Sequence, residues 1–211
     1  MSLIQRLIRD AARLGVTVTE QDASRLLTLL DELERWNRTY NLTAIVKRED
    51  MVTHHLLDSL SVHQDLQGAT IADVGTGAGF PGLPLAVVNP EKRFTLIDSN
   101  GKKVRFVSHA AAALGLSNVE AVQARVESHL GNPFDVVVSR AFASVPDILK
   151  MVAPLCDDHT RVLAMKGRWP KQELQSLPAG WQTVSSRRIE VPGLGEERCV
   201  IVLQSRTAPP T

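Results

Sequence analysis

The chain has 211 residues, a formal net charge of +1 and an apolar fraction of 44%. This length suits one domain with a small subdomain attached, and the apolar and charged fractions exclude a wholly disordered chain. The balanced charge excludes a histone-like polycation and an acidic tail, but it permits a basic patch on one face.

The cysteines and the N-terminal residues indicate the cellular compartment in which the protein is expected. Cys156 and Cys199 form no CxxC pair, so we expect neither a disulfide framework nor a cysteine-rich zinc site. His54 and His55 are adjacent and no HExxH motif occurs, so we expect no metal. Residues 1–10 have no apolar run ahead of their charges, and no stretch reaches the roughly 18 apolar residues of a membrane span. We therefore expect a cytoplasmic protein that contacts no membrane.

Helical periodicity dominates the N-terminal third of the chain. Apolar residues at helical spacing predict helices over 3–14, 20–36 and 49–65. Gly15 is expected to end the first helix, and Thr19 is expected to cap the second. We assign residues 1–66 to an N-terminal helical cap.

Beyond Gly68 strand-like runs alternate with helical ones. The predicted strands cover 70–74, 93–97, 119–122, 134–138, 161–165, 181–189 and 199–203, and the predicted helices cover 102–114 and 145–155. This alternation predicts an α/β fold with a doubly wound, mostly parallel seven-stranded sheet and helices on both faces. We assign residues 67–206 to this ligand-binding domain and 207–211 to a flexible tail.

A glycine cluster, Asp73–Gly82 (DVGTGAGFPG), follows the first predicted strand. Glycines at this place let the backbone turn tightly and approach a ligand. Leu83 and Pro84 stand where a P-loop would have Lys-Ser, so nucleotide hydrolysis is excluded. A dinucleotide loop would have its third glycine where Phe80 stands. An acid followed by GxGxG suits S-adenosylmethionine instead, because that ligand carries no phosphate. The loop residues assigned to its site are Asp73, Gly75, Gly77, Gly79 and Phe80.

Asp98 supports a nucleoside ligand. It ends the second predicted strand, 19 residues after Gly79, where an acid can accept hydrogen bonds from ribose hydroxyls. We therefore add Asp98 to the cofactor residues.

Six segments of the chain form a recognisable set: Trp36–Ile45 (WNRTYNLTAI), His55–Ser59 (HLLDS), Asp73–Gly82, Asp98–Phe106, Ser139–Ser144 (SRAFAS) and Lys166-Gly167. In these segments the sequence resembles the bacterial small-subunit ribosomal RNA methyltransferase G family, also called glucose-inhibited division protein B. The glycine loop is common to many methyltransferases, whereas the N-terminal signature and SRAFAS are specific.

The resemblance implies a Rossmann-like class I methyltransferase that transfers a methyl group from S-adenosylmethionine to N7 of a guanine in the 530 loop of 16S ribosomal RNA. It also implies that Val126, Glu127 and Arg140 belong to the cofactor pocket. The partner would be 16S ribosomal RNA or the small ribosomal subunit, and we expect a monomer.

The residues after the strands agree with transfer to N7. The fourth predicted strand is followed by Ser139-Arg140 and not by the [ND]PP[YF] motif of exocyclic-amine methylation, and no cysteine is placed to attack a pyrimidine. Guanine N7 has a free lone pair and needs orientation more than a base. Arg140 and Lys102 are the main catalytic candidates, and Lys166 could act as a base, although no carboxylate follows the fourth predicted strand to support it.

RNA contacts are expected from basic, polar and aromatic residues at the same edge of the sheet. The candidates are Asn41, His55, Lys102, Lys103, Arg125, Phe142 and Lys166. The segment 36–45 is expected to close over this edge, and Asp58 is expected to brace His55.

Two other functions stay open on the sequence. A Rossmann-like fold with Asp98 on an unphosphorylated ribose also fits an NAD-dependent oxidoreductase. A chain with these basic residues and an inactive pocket would be an RNA-binding module without catalysis.

Overall fold

Helices come first along the chain, and strands then alternate with helices. A computed structural model describes residues 1–128, 131–140 and 143–205. The predicted tail at 207–211 lies outside these residues. In the described part, no helix is both long and apolar enough to cross a membrane.

The first two helices begin where the sequence signals predict, but the second extends four residues beyond its predicted end at residue 36. They are α1 (Leu3–Arg13) and α2 (Glu20–Tyr40). The Thr19 hydroxyl accepts from the Asp22 backbone N–H while the Asp22 carboxylate accepts from the Thr19 backbone N–H, so each residue satisfies an unpaired donor of the other. Gly15 follows α1 with a φ of 74°, a conformation that glycine adopts without strain.

The third predicted helix is not one regular α-helix. It consists of α3 (Arg48–Met51), a π-helical segment (Val52–Leu57), α4 (Asp58–Leu60) and a 3-10 turn (His63–Asp65). The prediction of one helix over 49–65 was therefore wrong in its interior. Apolar spacing indicates which residues are buried, but it does not show that backbone bonds shift to the i→i+5 pattern of a π-helix.

Seven strands form one sheet in the order β3-β2-β1-β4-β5-β7-β6. Their bounds are β1 (Thr70–Val74), β2 (Arg93–Asp98), β3 (Val119–Gln123), β4 (Val136–Ser139), β5 (Arg161–Lys166), β6 (Trp181–Ile189) and β7 (Arg198–Ser205). β1 to β5 pair in parallel, whereas β7 is antiparallel to both β5 and β6. The predicted mostly parallel seven-stranded sheet is confirmed.

The remaining helices cover the two faces of the sheet. They are α5 (Gly82–Val87), α6 (Gly101–Ala113), α7 (Val145–Val152) and α8 (Lys171–Gln175), with short 3-10 turns at Val126–Ser128 and Ala153–Leu155. Helix α8 was not predicted, because it is five residues long, has no buried side chain and therefore shows no apolar stripe.

Two apolar clusters hold the layers together. Successive strand residues face opposite sides, so Ile71 belongs to one cluster and Ala72 to the other. The first cluster also contains Leu7, Leu26 and Phe94, so α1 and α2 pack on the same core as the sheet. The division of the chain at residues 66 and 67 stays a prediction.

Candidate active site

The glycine loop joins the carboxyl end of β1 to α5. Gly75, Gly77 and Gly79 have φ angles of 69°, 61° and 85°, which side chains rarely adopt. A Cβ at Gly79 would overlap the Leu83 side chain, whereas a Cβ at Gly75 would meet nothing within 4 Å. The loop therefore packs closely on α5 on one side and leaves bare backbone facing open space on the other.

The buried Asp73 carboxylate stabilises the glycine loop on the side that faces away from the open space. Its Oδ2 accepts hydrogen bonds from the Thr76 hydroxyl at 2.7 Å and from the Gly82 N–H at 2.8 Å. Its Oδ1 is buried and has no partner among the described residues. Burial raises the pKa of Asp73 to about 6, although the bonds from Thr76 and Gly82 oppose that rise. Asp73 thus connects both ends of the loop.

A cavity of about 670 Å³ opens at the carboxyl ends of the parallel strands, where ligands bind in doubly wound folds. We call it the loop cavity. Of the predicted cofactor residues, Gly75, Gly77, Phe80, Asp98, Val126, Glu127 and Arg140 line it, whereas Asp73 and Gly79 do not. The last two lie beneath the loop and shape it without facing the cavity.

Asp98 ends β2 at the wall of the loop cavity. Its Oδ2 accepts from the Gly77 N–H at 2.9 Å, and its Oδ1 accepts from the Asn100 N–H at 2.8 Å. The Lys103 Nζ lies 3.9 Å from Oδ2. A carboxylate offers about four acceptor positions, so Asp98 keeps capacity for hydroxyl groups of a ligand. Bare loop backbone, an acid for hydroxyl groups and apolar walls fit the adenosine and methionine parts of S-adenosylmethionine.

Three side chains stack at the inner end of the loop cavity. The His55 and Phe80 rings lie nearly parallel, at 15°, with their centroids 4.6 Å apart. The Arg140 guanidinium lies 5.6 Å from the centre of the Phe80 ring. Burial lowers the pKa of His55 to about 4, with the Arg140 charge acting in the same direction, so the imidazole is neutral at pH 7.

The loop between α2 and α3, residues 41–47, covers the edge of the sheet, and we call it the strap. Leu42 and Thr43 line the loop cavity, as expected for a segment that closes over this edge. The Asn37 side chain donates to the Thr43 carbonyl at 3.0 Å and accepts from the Thr43 N–H at 2.9 Å. The Thr43 hydroxyl lies 3.0 Å from His55 Nε2. Asn41 is exposed in the left-handed conformation and ends α2.

A second cavity, of about 440 Å³, adjoins the first. We call it the arginine cavity. It shares His55 and Arg140 with the loop cavity, and its other lining residues are Ile45, His54, Asp58, Met165, Lys166, Gly167 and Arg198.

Asp58 bonds to arginines in this second cavity. Its Oδ2 accepts from Arg140 Nη1 at 3.1 Å, and its Oδ1 accepts from Arg198 Nε at 3.0 Å. The expectation that Asp58 braces His55 was therefore wrong. Helical spacing brings both residues to the same side, but the two guanidinium groups take the carboxylate oxygens.

The predicted RNA-contacting residues do not lie in one place. Lys166 lines the arginine cavity, where its Nζ donates to the Ala143 carbonyl at 3.0 Å and pairs with Glu173 at 3.1 Å. Lys103 and Arg125 line the loop cavity. Lys102 is exposed at the start of α6 and lines neither cavity. Phe142 lies outside the described residues.

Arg198 lies in the site but was not among the predicted site residues. β7 is antiparallel to β5, so the first residue of β7 lies at the same edge as the last residues of the parallel strands. An antiparallel prediction for the last strand would have placed Arg198 there. Elsewhere in the described chain, no group of three or more histidine, cysteine or acidic residues is arranged to hold a metal ion.

Solved structures share this fold. A ribosomal protein L11 methylase from Lactobacillus delbrueckii subsp. bulgaricus matches with a TM-score of 0.55 and 15% identity, over 76% of this chain and 80% of that chain. A SAM-dependent methyltransferase from Aquifex aeolicus matches with a TM-score of 0.54 and 21% identity, over 71% of this chain and 90% of that chain. The fold is that of the class I S-adenosylmethionine-dependent methyltransferases.

Sequence comparison is more specific. A family model described as rRNA small subunit methyltransferase G matches residues 22–202. The proteins of that name from Psychromonas ingrahamii and Saccharophagus degradans are 43% and 47% identical to the chain. The alignments cover 97% and 94% of this chain, and 99% and 90% of those proteins. The chain belongs to the rRNA small subunit methyltransferase G family.

Proposed function

We propose that this protein methylates small-subunit ribosomal RNA with S-adenosylmethionine, at N7 of a guanine in the 530 loop of 16S RNA. The observation that carries the proposal is the loop cavity, which is lined by the bare backbone of Gly75 and Gly77 and by the Asp98 carboxylate beside it. The name that the relatives share, ribosomal RNA small subunit methyltransferase G, supports small-subunit RNA as the substrate. The choice of N7 and of the 530 loop rests on the sequence resemblance.

The loop and the strand ends would hold the cofactor. Gly75 and Gly77 let the main chain approach the ligand, and Asp98 accepts from its ribose hydroxyls. Val126 and Glu127 line the same cavity. When bound, S-adenosylmethionine supplies an electrophilic methyl group on a positively charged sulfur.

Orientation and exclusion of water are then the main tasks of the chain. A nitrogen with a free lone pair needs no general base, and correct alignment alone contributes roughly 7–11 kcal/mol in favourable systems. The Lys166 Nζ donates to the Ala143 carbonyl and pairs with the Glu173 carboxylate, which favours a structural role for Lys166 over the role of a base. The stack of His55, Phe80 and Arg140 forms the wall against which the reacting groups are held.

Basic and polar residues in and around the loop cavity would bind the RNA. Lys103 and Arg125 line the loop cavity and Lys102 is exposed next to Lys103 at the start of α6, and all three would contact phosphates. Asn41 is exposed on the strap beside the same opening, and Phe142 completes the set on the sequence argument. We further propose that the protein acts as a cytoplasmic monomer, with residues 1–66 as its helical cap.

Two measurements test the proposal. Purified protein should incorporate labelled methyl groups into small subunits or 16S RNA from cells that lack the modification, and mass spectrometry should place the label on a guanine of the 530 loop. Calorimetry should detect S-adenosylmethionine and not NAD. Binding of NAD alone would indicate an oxidoreductase, and folded protein that binds RNA without methyl transfer would indicate a binding module.

A further inference from the structure

We infer that the arginine cavity receives the acceptor base, and that Asp58 is a positioning residue that orients Arg140 and Arg198 toward that base. This inference rests on the proposed function and assigns its second ligand site.

The position of the arginine cavity suits an acceptor. Methyl transfer requires the reacting atoms to come within roughly 3–3.5 Å, so the base must occupy space that opens onto the cofactor. The arginine cavity shares His55 and Arg140 with the loop cavity, and its volume of about 440 Å³ is that of a small-ligand site. A further cavity, lined by Thr70, Arg93 and Phe94 among others, lies at the amino ends of the strands and shares no residue with the loop cavity.

Asp58 is buried, with 3% of its surface exposed, and it joins residues that are distant in the sequence. Arg140 follows β4 and Arg198 begins β7, and each guanidinium reaches a different oxygen of the carboxylate. Second bonds fix both arginines, because Arg140 Nη1 also donates to the His54 carbonyl at 2.9 Å and Arg198 Nη1 to the Glu197 carbonyl at 2.8 Å. Among the described residues, Nη2 of each arginine keeps its protons without a partner.

The chemistry of the acceptor explains why fixed arginines are needed. N7 and O6 of guanine both accept hydrogen bonds, and an unrestrained arginine typically donates to both at once. Such a contact would occupy the lone pair on N7 that must form the new bond. Arginines held by Asp58 can donate to O6 or to the RNA backbone while N7 stays free.

The charge balance points to the same role. As N7 forms its bond to the methyl carbon, the carbon–sulfur bond breaks and its electron pair stays on sulfur. No proton leaves in this step, so the base becomes positively charged beside two arginines. The Asp58 carboxylate pairs with both guanidinium groups and the Glu196 carboxylate pairs with Arg198, so the two arginine charges are balanced and the methylated base does not lie beside uncompensated cations.

The first experiment blocks the cavity at Gly167. This residue lines the arginine cavity and not the loop cavity, its φ is outside the left-handed region, and a Cβ there would meet only Arg198 Nη1, at 3.8 Å. Gly167→Leu should lower methylation of 16S RNA at least 100-fold, and Gly167→Ala less than 5-fold. The dissociation constant for S-adenosylmethionine, measured by calorimetry, should change less than 2-fold in both. Full turnover by folded Gly167→Leu would overturn the assignment of the cavity.

The second experiment compares two buried aspartates. Asp10 is also 3% exposed and pairs with Arg9 at 2.7 Å and Arg6 at 3.5 Å, but it lies on α1 and lines neither cavity. Asp58→Asn should lower kcat at least 10-fold with cofactor affinity retained, and Asp58→Glu should restore part of kcat. Asp10→Asn should lower the melting temperature and leave kcat unchanged.

The outcomes distinguish the inference from the proposed function. Equal loss of kcat in Asp58→Asn and Asp10→Asn, or none in Asp58→Asn, would show that Asp58 is merely structural. Wild-type protein that binds no S-adenosylmethionine, or methylates no RNA, would contradict the proposed function itself. Active wild-type protein with an equally active Gly167→Leu variant would contradict only the inference.

Discussion

The loop cavity and the arginine cavity share one wall, formed by His55 and Arg140, but the rest of their lining differs in kind. Main chain and short side chains of the glycine loop form much of the loop cavity, whereas Asp58, Arg140, Lys166 and Arg198 dominate the arginine cavity. A main-chain wall keeps its shape because it is part of the β1–α5 turn. A wall of long side chains keeps its shape only while its ion pairs hold. The difference indicates that the first cavity is sensitive to backbone strain and the second to loss of charge.

The largest expected effect is at the shared wall. Arg140→Ala removes a donor from both cavities and one of the two arginine partners of Asp58. We expect methyl transfer to fall about 10²–10³-fold, the range seen when an oriented donor is removed from an active site. We also expect a loss of roughly 1–3 kcal/mol in the free energy of unfolding, because Asp58 is left buried and half-paired.

Single-turnover assays at a temperature where the variant is folded separate the two effects of Arg140→Ala. Arg93→Ala is the matched control, since Arg93 is exposed at the opposite end of the sheet. Unchanged turnover in folded Arg140→Ala would remove this residue from the site.

Two glycine substitutions test the main-chain wall. Gly79→Ala introduces strain and an overlap with Leu83, and we expect a loss of about 2–4 kcal/mol in the free energy of unfolding. Gly75→Ala introduces only strain, so about 1 kcal/mol is expected, but its methyl group enters the loop cavity. We expect Gly75→Ala to weaken cofactor binding about 10-fold. Urea unfolding measures the stability of the two variants, and calorimetry measures their affinity for the cofactor. An equal loss of stability in both variants would contradict the difference in packing.

The buried acid beneath the loop predicts a pH dependence. The pKa of Asp73 is raised to about 6, so the folded state holds its proton more tightly than the unfolded state. The resulting stability is full below the ordinary pKa of about 4 and is lost as the pH rises through 6. Asp73→Asn cannot ionise, so the wild type should lose up to roughly 3 kcal/mol relative to this variant between pH 4 and 7.

The comparison with Asp73→Asn is needed because the titration of His55 changes the stability of the protein with pH in the opposite direction. Its pKa is lowered to about 4, so its contribution is lost as the pH falls from about 6.5 toward 4, in both proteins. Urea unfolding at several pH values measures the difference. A difference that does not vary with pH would show that Asp73 is already ionised at pH 4.

The smallest expected effect lies outside both cavities. Lys102 is exposed, so Lys102→Ala should leave stability and cofactor affinity unchanged. If Lys102 neutralises one phosphate, the plot of log affinity for RNA against log salt should lose a slope of about 1. Filter binding at several salt concentrations measures this slope, and the exposed Lys47 on the strap provides a comparison. An unaltered slope would exclude a phosphate contact by Lys102.

The sequence predicted the loop cavity better than the arginine cavity, for a physical reason. The conformation of the glycine loop is local, since positive φ angles need glycine and the acid at the end of β2 follows at a fixed distance. Strand positions were also local and were predicted to within a residue or two. The arginine cavity depends on Asp58, Arg140 and Arg198, which come together only through the sheet order and the antiparallel β7. No local pattern carries that information.

The π-helical segment shows the same limit within one element. The apolar pattern of residues 49–65 predicted a helix, and its apolar residues Leu56, Leu57 and Leu60 are indeed buried. It gave no sign that the backbone changes its bonding between Val52 and Leu57, because burial and bonding pattern are set separately.

The Asp73 carboxylate has a consequence for the speed of binding. By joining the Thr76 hydroxyl to the Gly82 N–H it keeps the loop in its turned form before any ligand arrives. Little conformational entropy remains to be lost on association, so encounter with the cofactor should follow simple one-step kinetics at a rate set by diffusion through the opening beside the strap. Cofactor exchange between turnovers would then wait on the release of the product and not on refolding of the loop.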